Sequence, residues 1–251
     1  MGVILALVNQ KGGVGKTTTA VNLAAALHRA GKRVLLCDFD PQANATSGFG
    51  AEKGASSGTS YDIVLGEKDA ASCVLHTPYG DLIPSCSALS GASVELVGAD
   101  GREYALRRAI EPLREQYDYV FIDCPPSLEL LTLNAICAAD RVLIPVQCEY
   151  YALEGLSDLM QTLRVVKRRL NPTIDVFGVL LTMYDGRTNF SAQVAEEVRR
   201  YFPGKVFAAV IPRNVRLCEA PSHGKPVFEY DRFSRGAQSY EQLAREVLER
   251  T

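Results

Sequence analysis

Short, unbroken apolar runs alternate along the chain with longer stretches whose apolar positions recur every three or four residues. The runs at residues 3–8, 34–37, 119–122, 142–146 and 176–181 are apolar throughout. That is the pattern of strands buried on both faces of a parallel sheet. Residues 17–30, 103–116, 128–138, 152–170 and 191–202 read as helices. Within 152–170, Leu153, Leu156, Met160, Leu163, Val166 and Leu170 form a single apolar stripe. Residues 236–250 read as a closing amphipathic helix carrying Tyr240, Leu243, Val247 and Leu248. Such alternation predicts an α/β fold: a doubly wound, mostly parallel sheet with helices on both faces and right-handed crossovers. Ligands on such a sheet bind at the carboxyl ends of the strands. Residues 51–58, rich in Gly, Ser and Ala, read as a loop, and 59–100 as irregular, with short strands near 72–75 and 81–84. No linker or internal repeat is visible, so residues 1–251 are expected to form one domain.

Composition narrows the function. The 47% apolar content is ordinary for a chain with a buried core, and the formal charge of −2 excludes a polycation. Any nucleic-acid contact must therefore be a local patch. Residues 187–251 hold 11 Lys/Arg against 8 Asp/Glu, a net +3 (11 − 8). Seven cysteines form no C-x-x-C pair and the three histidines are scattered, which argues against zinc or a cluster and for reduced thiols in the cytosol. The N-terminal apolar run is too short for a signal peptide, and Ala6 stands where a myristoylation signal needs Ser or Thr. No stretch approaches the ~20 apolar residues of a membrane span. A cytoplasmic protein is expected.

The chemistry begins at Asn9-Gln10-Lys11-Gly12-Gly13-Val14-Gly15-Lys16-Thr17-Thr18. A strand, a glycine turn and a helix opening on Lys-Thr form a phosphate loop. The glycines let backbone N–H groups converge on a triphosphate, Lys16 reaches its outer phosphates, and the Thr17 hydroxyl can bind Mg²⁺. Position 10 is Gln where the common loop pattern has Gly, and Lys11 adds a second cation at the front of the loop.

Acidic groups stand at two further strand ends. Asp38 and Asp40 follow the second strand and Asp123 the third. A carboxylate there, near a phosphate loop, is placed to hold Mg²⁺. Asp123 could instead cap a helix starting near Ser127. Asp40 could orient or deprotonate an attacking water, or serve as a turn residue before Pro41. Asp38 reads as structural. Pro125-Pro126 removes two donors and stiffens a turn that could sense phosphate.

The runs K-G-G-V-G-K-T-T at 11–18, D-F-D-P-Q-A-N-A-T-S at 38–47 and D-C-P-P-S at 123–127 resemble the ParA/Soj family of chromosome and plasmid partition ATPases. So do T-M-Y-D-G-R at 182–187 and I-P-R-N-V-R-L-C-E-A-P-S at 211–222. Five motifs in order over nearly the full length make the likeness specific, and it is greatest to the short chromosomal branch. The resemblance implies a P-loop NTPase with a deviant Walker A loop, using ATP and Mg²⁺. It implies that Lys11 reaches the ATP of a second copy across a two-fold interface, so that ATP is sandwiched in a homodimer and Gly12 lies where a side chain would collide. Residues 11–18, from Lys11 and Gly12 through Gly13, Val14, Gly15, Lys16 and Thr17 to Thr18, would hold the phosphates. Thr17, Asp40 and Asp123 would serve the metal, and Asp40 would also position the hydrolytic water. Pro212 and Asn214 match the segment contacting adenine, although Pro212 also reads as a strand stop. Arg187 and Arg216 match DNA-contacting arginines, with Lys225, Arg199 and Arg200 as further candidates on solvated faces. The implied partners are double-stranded DNA, bound without base specificity on the nucleoid, and a ParB-like centromere-binding protein that stimulates hydrolysis.

Relatives with the same loop offer alternatives. A ParA-like ATPase could position a protein cargo instead. A MinD-like membrane-cycling ATPase needs a basic amphipathic extension, whereas this sequence stops at Thr251 directly after the last helix, so no membrane partner is expected. A nitrogenase-reductase-like carrier needs a cysteine pair for a cluster, and Cys124 has no partner at a recognisable spacing. A dethiobiotin-synthetase-like enzyme needs a substrate pocket of its own.

Overall fold

The computed structural model describes residues 2–54, 56–149 and 152–251, so Met1 and Ala55 of the readings above lie outside the described residues. Strands β1 (Val3–Leu7), β2 (Val34–Asp38), β3 (Leu75–Thr77), β4 (Gly80–Ile83), β5 (Tyr119–Asp123), β6 (Arg141–Gln147), β7 (Asp175–Tyr184) and β8 (Val206–Pro212) form one sheet. Its order is β3-β4-β2-β5-β1-β6-β7-β8. Among the described residues, only the β3–β4 pair is antiparallel. The helices are α1 (Lys16–Arg29), α2 (Asn44–Gly48), α3 (Ser60–Leu65), α4 (Ala92–Glu95), α5 (Ala105–Ile110), α6 (Leu130–Ala138), α7 (Ala152–Arg169), α8 (Asn189–Tyr201), α9 (Val215–Glu219), α10 (Val227–Tyr230) and α11 (Arg235–Arg250).

The unbroken apolar runs follow from having a core on each side. Along β1, Ile4, Ala6 and Val8 enter one cluster and Leu5 and Leu7 the other; along β2, Leu35 and Cys37 oppose Val34 and Leu36. Successive side chains of a strand point to opposite faces, so both parities must be apolar when both faces are covered. Helices α5 to α8 cover the first face, and α1 and α11 the second. The stripe of α7 is the buried set Leu156, Leu159, Leu163 and Val166.

Three readings are corrected. The expected helix over 103–116 is three short pieces, a 3₁₀ turn at Arg102–Tyr104, α5, and a 3₁₀ turn at Glu111–Gln116. Pro112 lacks the N–H needed to continue an α-helix and clashes with the preceding turn. The strand expected near 72–75 is mostly the 3₁₀ turn Ala70–Cys73, started by Asp69, whose side chain accepts from the Ala71 N–H; β3 begins only at Leu75. Of edge strand β8 only the stop at Pro212 was expected, and its start at Val206 was not.

Parallel register sets up the site. Asp38 of β2 pairs with Asp123 of β5, and Leu7 of β1 pairs with Asp123 on its other side. The carboxyl ends of three adjacent strands thus bring two carboxylates beside the loop that leaves β1.

Candidate functional site: a phosphate loop among three carboxylates

The loop from β1 to α1 is shaped by its glycines. Gly13 (φ +72) and Gly15 (φ +88, the N-cap of α1) occupy the left-handed region that side chains disfavour. This turns the free N–H groups of the first α1 turn, with Lys16, Thr17 and Thr18, toward a cleft. The Asn9 side chain steadies the entry, donating to the Pro145 carbonyl at 2.8 Å while accepting from the Lys11 N–H at 3.0 Å. On the far side, the Thr182 hydroxyl donates to the Val14 carbonyl at 2.8 Å.

The cleft of about 310 Å³ is lined by Gly12, Gly13, Lys16, Thr17, Asp40 and Pro126, among others. Lys16 is 6% exposed, and its ammonium folds across the loop to the Lys11 carbonyl at 2.9 Å. Burial lowers its pKa, opposed first by the Asp123 carboxylate. Lys11 itself lines a different cleft, of about 520 Å³, with Gln10, Gly12, Glu154, Gly155 and Asp158. Its stem lies along α7, where a Cβ added at Gly155 would sit 3.1 Å from Lys11 Cε. The two lysines of the loop therefore serve different clefts, and Gly12 lines both.

The three carboxylates are not equivalent. Asp38 is fully buried and consumed by structure: it accepts from the Thr46 N–H at 2.6 Å, the Thr46 hydroxyl at 2.7 Å and the Asp40 N–H at 3.2 Å. Burial raises its pKa, and the Thr46 bonds counteract this. Asp40, 7% exposed, accepts from the Gln42 N–H at 2.9 Å, so it does shape the turn before Pro41, and it also lines the phosphate cleft. Asp123 is fully buried, and among the described residues neither carboxylate oxygen has a hydrogen-bond partner of good geometry, although the Thr17 hydroxyl lies beside it. Burial pushes its pKa well up, Asp38 adds to that, and the Thr17 hydroxyl and Lys16 ammonium favour its charged form. The capping reading of Asp123 is corrected: α6 begins only at Leu130, with Glu129 at its N-cap.

A buried carboxylate whose oxygens lack good hydrogen bonds suits a cation ligand. Mg²⁺ characteristically takes one or two protein ligands and fills its octahedron with phosphate oxygens and water. Thr17 and Asp123 fit that donor set, as does Asp40 through water. Among the described residues no three His, Cys, Asp or Glu side chains form a metal cage, so phosphate and water would complete the shell.

A second cleft of about 640 Å³ continues from the first, sharing Gly15, Thr18 and Met183 with it. Its walls include Pro212, Asn214, Cys218 and Tyr240. Pro212 does end β8, as the strand-stop reading has it, and it also lines this cleft. Asn214 caps α9, its Oδ1 accepting from the Arg216 N–H at 2.9 Å. Flat apolar walls with an amide suit a planar nucleobase.

The cationic candidates are dispersed. Arg187 is bidentate to Asp185 (Nε–Oδ1 2.9 Å, Nη2–Oδ2 2.8 Å), which holds the Asp185 pKa down at about 2. Arg216 pairs with Glu219 at 2.9 Å and Asp231 at 3.2 Å. Lys225, Arg199 and Arg200 are exposed, the last facing Glu196 at 4.0 Å. Exposed pairs of this kind contribute little to stability and yield to a polyanion.

Two residues at the site stand in the 182–187 run but were given no role of their own from the sequence. Thr182 holds the loop, and Met183, at φ +50, stands where the two clefts meet. A polar residue closing an otherwise apolar strand was the available signal for Thr182. Positive φ in a long side chain is strained and visible only in three dimensions.

Comparison with known proteins gives a consistent picture. A family described as "AAA domain" matches residues 2–176. The sporulation initiation inhibitor protein Soj of Bacillus subtilis is 57% identical over 249 residues, covering 98% of each chain. The chromosome partitioning protein ParA of Myxococcus xanthus is 54% identical over 252 residues, covering 100% of this chain and 89% of that one. Among solved structures, cobyrinic acid a,c-diamide synthase from Mycobacterium smegmatis with bound ADP and magnesium superposes with a TM-score of 0.87 at 37% identity, covering 99% of this chain and 94% of that one.

Proposed function

Since the chain belongs to the ParA/Soj family of chromosome-partitioning ATPases and is an ATP hydrolase, we propose that ATP closes it into a homodimer that holds DNA without sequence preference. The observation that carries this reading is the divergence of the two loop lysines. Lys16 faces the chain's own phosphate cleft, while Lys11 lies toward the neighbouring one. A second ammonium on that side can neutralise the polyphosphate of another copy, making the nucleotide part of a symmetric interface. Gly12 supports the same reading. It has no positive φ, and an added Cβ would meet nothing nearer than Pro126 Cβ at 3.9 Å. The chain's own fold leaves room for a side chain there, so a need for glycine would come from a second molecule.

Each residue then has a task. The loop from Gly12 to Thr18 binds the phosphates, with Lys16 neutralising the outer ones. Bound Mg²⁺ would offset phosphate charge, held by Thr17 with Asp123 and Asp40 behind it. Asp40, at the cleft wall, orients the attacking water. Pro212 and Asn214 face the base. Arg187 and Arg216, with Lys225, meet DNA phosphates; neutralising ~4 of them gives a log–log salt slope of about −3.6. A ParB-like partner stimulates hydrolysis and so releases the protein from the nucleoid.

Sizing the Gly12→Val variant by light scattering tests this. With ATP bound it is expected to stay monomeric where the wild type dimerises. Dimerisation of the ATP-loaded variant at wild-type concentrations contradicts the shared-nucleotide interface.

A further inference from the structure

Phe233 is 75% exposed, the most exposed aromatic ring among the described large hydrophobic residues, and it belongs to neither hydrophobic cluster. It lies just before the N-cap of α11, in a turn that is tightly held. Its N–H donates to Asp231 Oδ1 at 3.2 Å, and the Ser234 hydroxyl donates to the Asp231 carbonyl at 2.8 Å. Ser234 in turn caps α11, accepting from the Ala237 N–H at 3.2 Å. The ring is thus displayed by a rigid turn rather than a loose one. The Arg232 guanidinium lies over it, 4.7 Å from the centroid.

Two independent contacts tie this turn to α9. Asp231, which holds the turn, is also the 3.2 Å partner of Arg216. Gly236 admits the Leu217 side chain against the start of α11, where an added Cβ would lie 2.7 Å from Leu217 Cγ. On the α9 side, Val215 is 63% exposed. The result is a surface on which two apolar side chains, Val215 and Phe233, stand among the arginines Arg216, Arg232 and Arg235. Residues 213–235 carry 5 Lys/Arg and 3 Asp/Glu, a net +2 (5 − 3).

A lone exposed apolar residue is unremarkable. Exposed apolar groups interleaved with arginines on a rigid support are the composition that contacts a nucleic acid through both its phosphates and its sugars and bases. We propose that Phe233, backed by Arg232, is an apolar contact to duplex DNA, pressing on the sugar and base edges of a groove while Arg216 and its neighbours hold the phosphates. This rests on the DNA-binding reading above and adds to it a non-electrostatic component. Because Asp231 bridges Arg216 and the Phe233 turn, the phosphate and apolar contacts are placed as one unit.

The two kinds of contact respond differently to salt. A phosphate contact contributes to the slope of log affinity against log salt, about 0.9 per charge neutralised, whereas an apolar contact shifts affinity at every salt concentration alike. The experiment is fluorescence anisotropy of a labelled random-sequence duplex against the full chain with Mg²⁺ and a non-hydrolysable ATP analogue, across a NaCl series. Phe233→Ala is expected to weaken binding about tenfold at every salt with the slope unchanged, as loss of partial burial of a Phe ring would give. Phe233→Tyr is expected to restore it, and Arg216→Ala to reduce the slope. An unaltered affinity for Phe233→Ala overturns the proposal, and so does a changed slope. It is also overturned if Phe233→Ala leaves DNA binding intact but abolishes binding to phosphatidylglycerol vesicles. A wild-type chain that fails to bind the duplex at all removes the DNA-binding reading itself, a result distinct from a silent Phe233 substitution. Matched melting temperatures for the three variants and the wild type confirm that the surface change leaves the fold intact.

Discussion

The Thr182 hydroxyl donates to the Val14 carbonyl at 2.8 Å across 168 residues of sequence, joining the end of β7 to the middle of the phosphate loop. The loop's shape is therefore set by its glycines and also by a buried tether from another strand. Thr182→Val keeps the volume and removes the donor, leaving a buried carbonyl unsatisfied at a cost of about 1–3 kcal/mol. Isothermal titration is expected to show ADP and ATP affinity reduced about tenfold, and Thr182→Ser is expected to recover most of it. Equal affinity for Thr182→Val and wild type would show that the tether is idle.

Asp123 predicts an unusual pH dependence. Burial, with Asp38 alongside, raises its pKa in the folded state, so the folded chain keeps a proton that the unfolded chain loses near pH ~4. Above that pH the folded state binds more protons than the unfolded one, and stability falls as pH rises toward the raised folded pKa. Asp123→Asn removes this penalty without changing size. The nucleotide-free variant is expected to melt about 2–4 °C above the wild type near neutral pH, with the gap closing toward pH ~4. The same variant is expected to lose Mg²⁺-dependent nucleotide affinity. A variant less stable than the wild type at every pH contradicts the account of Asp123 as an unpartnered carboxylate.

Asn214 both caps a helix and lines the cleft proposed for the base. Its Oδ1 caps α9, and the residue lines the cleft beside Pro212. Asn214→Ala is expected to cost about 1 kcal/mol of stability through the lost cap. It is also expected to weaken ATP more than inorganic triphosphate, which lacks the base. Competition binding with the two ligands separates these effects, and parallel losses for both would place the base elsewhere.

How much was legible from the sequence depended on how local the cause was. The runs at 3–8 and 34–37 stood out because Ile4, Ala6 and Val8 face one core and Leu5 and Leu7 the other, leaving no polar position to confuse the reading. The loop's shape was legible because Gly13 and Gly15, which turn it, stand next to the start of α1. Of strand β8 only the stop at Pro212 was legible, because Ala208 and Ala209 weaken its strand character and, at the sheet edge, Ala208 is exposed. Residues 103–116 keep an apolar periodicity across Pro112, which breaks them into three short pieces. Thr182 and Met183 belong to the site through a contact between distant strands, which no spacing in the chain encodes. The division of labour among Asp38, Asp40 and Asp123 likewise comes from which of them Thr46 satisfies.

The exposed arginines give a graded expectation. Arg187 is already paired bidentately with Asp185 on the surface, so its exchange to a phosphate is cheap. Arg187→Ala is expected to leave ATP-dependent dimerisation unchanged and to reduce the magnitude of the DNA salt slope by about 0.9 for each arginine lost per phosphate. Sedimentation of the variant with ATP, with and without duplex, reports both properties. Loss of the dimer would show that Arg187 belongs to the protein interface instead.

Lys11 is proposed to serve a polyphosphate held by another copy, while Lys16 serves its own. Asp40→Ala, expected to slow hydrolysis, provides a background in which the ATP state persists long enough to be sized. Light scattering of Asp40→Ala with ATP is expected to give a dimer, and of Lys11→Ala/Asp40→Ala an ATP-loaded monomer, with bound nucleotide quantified in both. A double variant that binds ATP and still elutes as a dimer would show that Lys11 does not join the two copies.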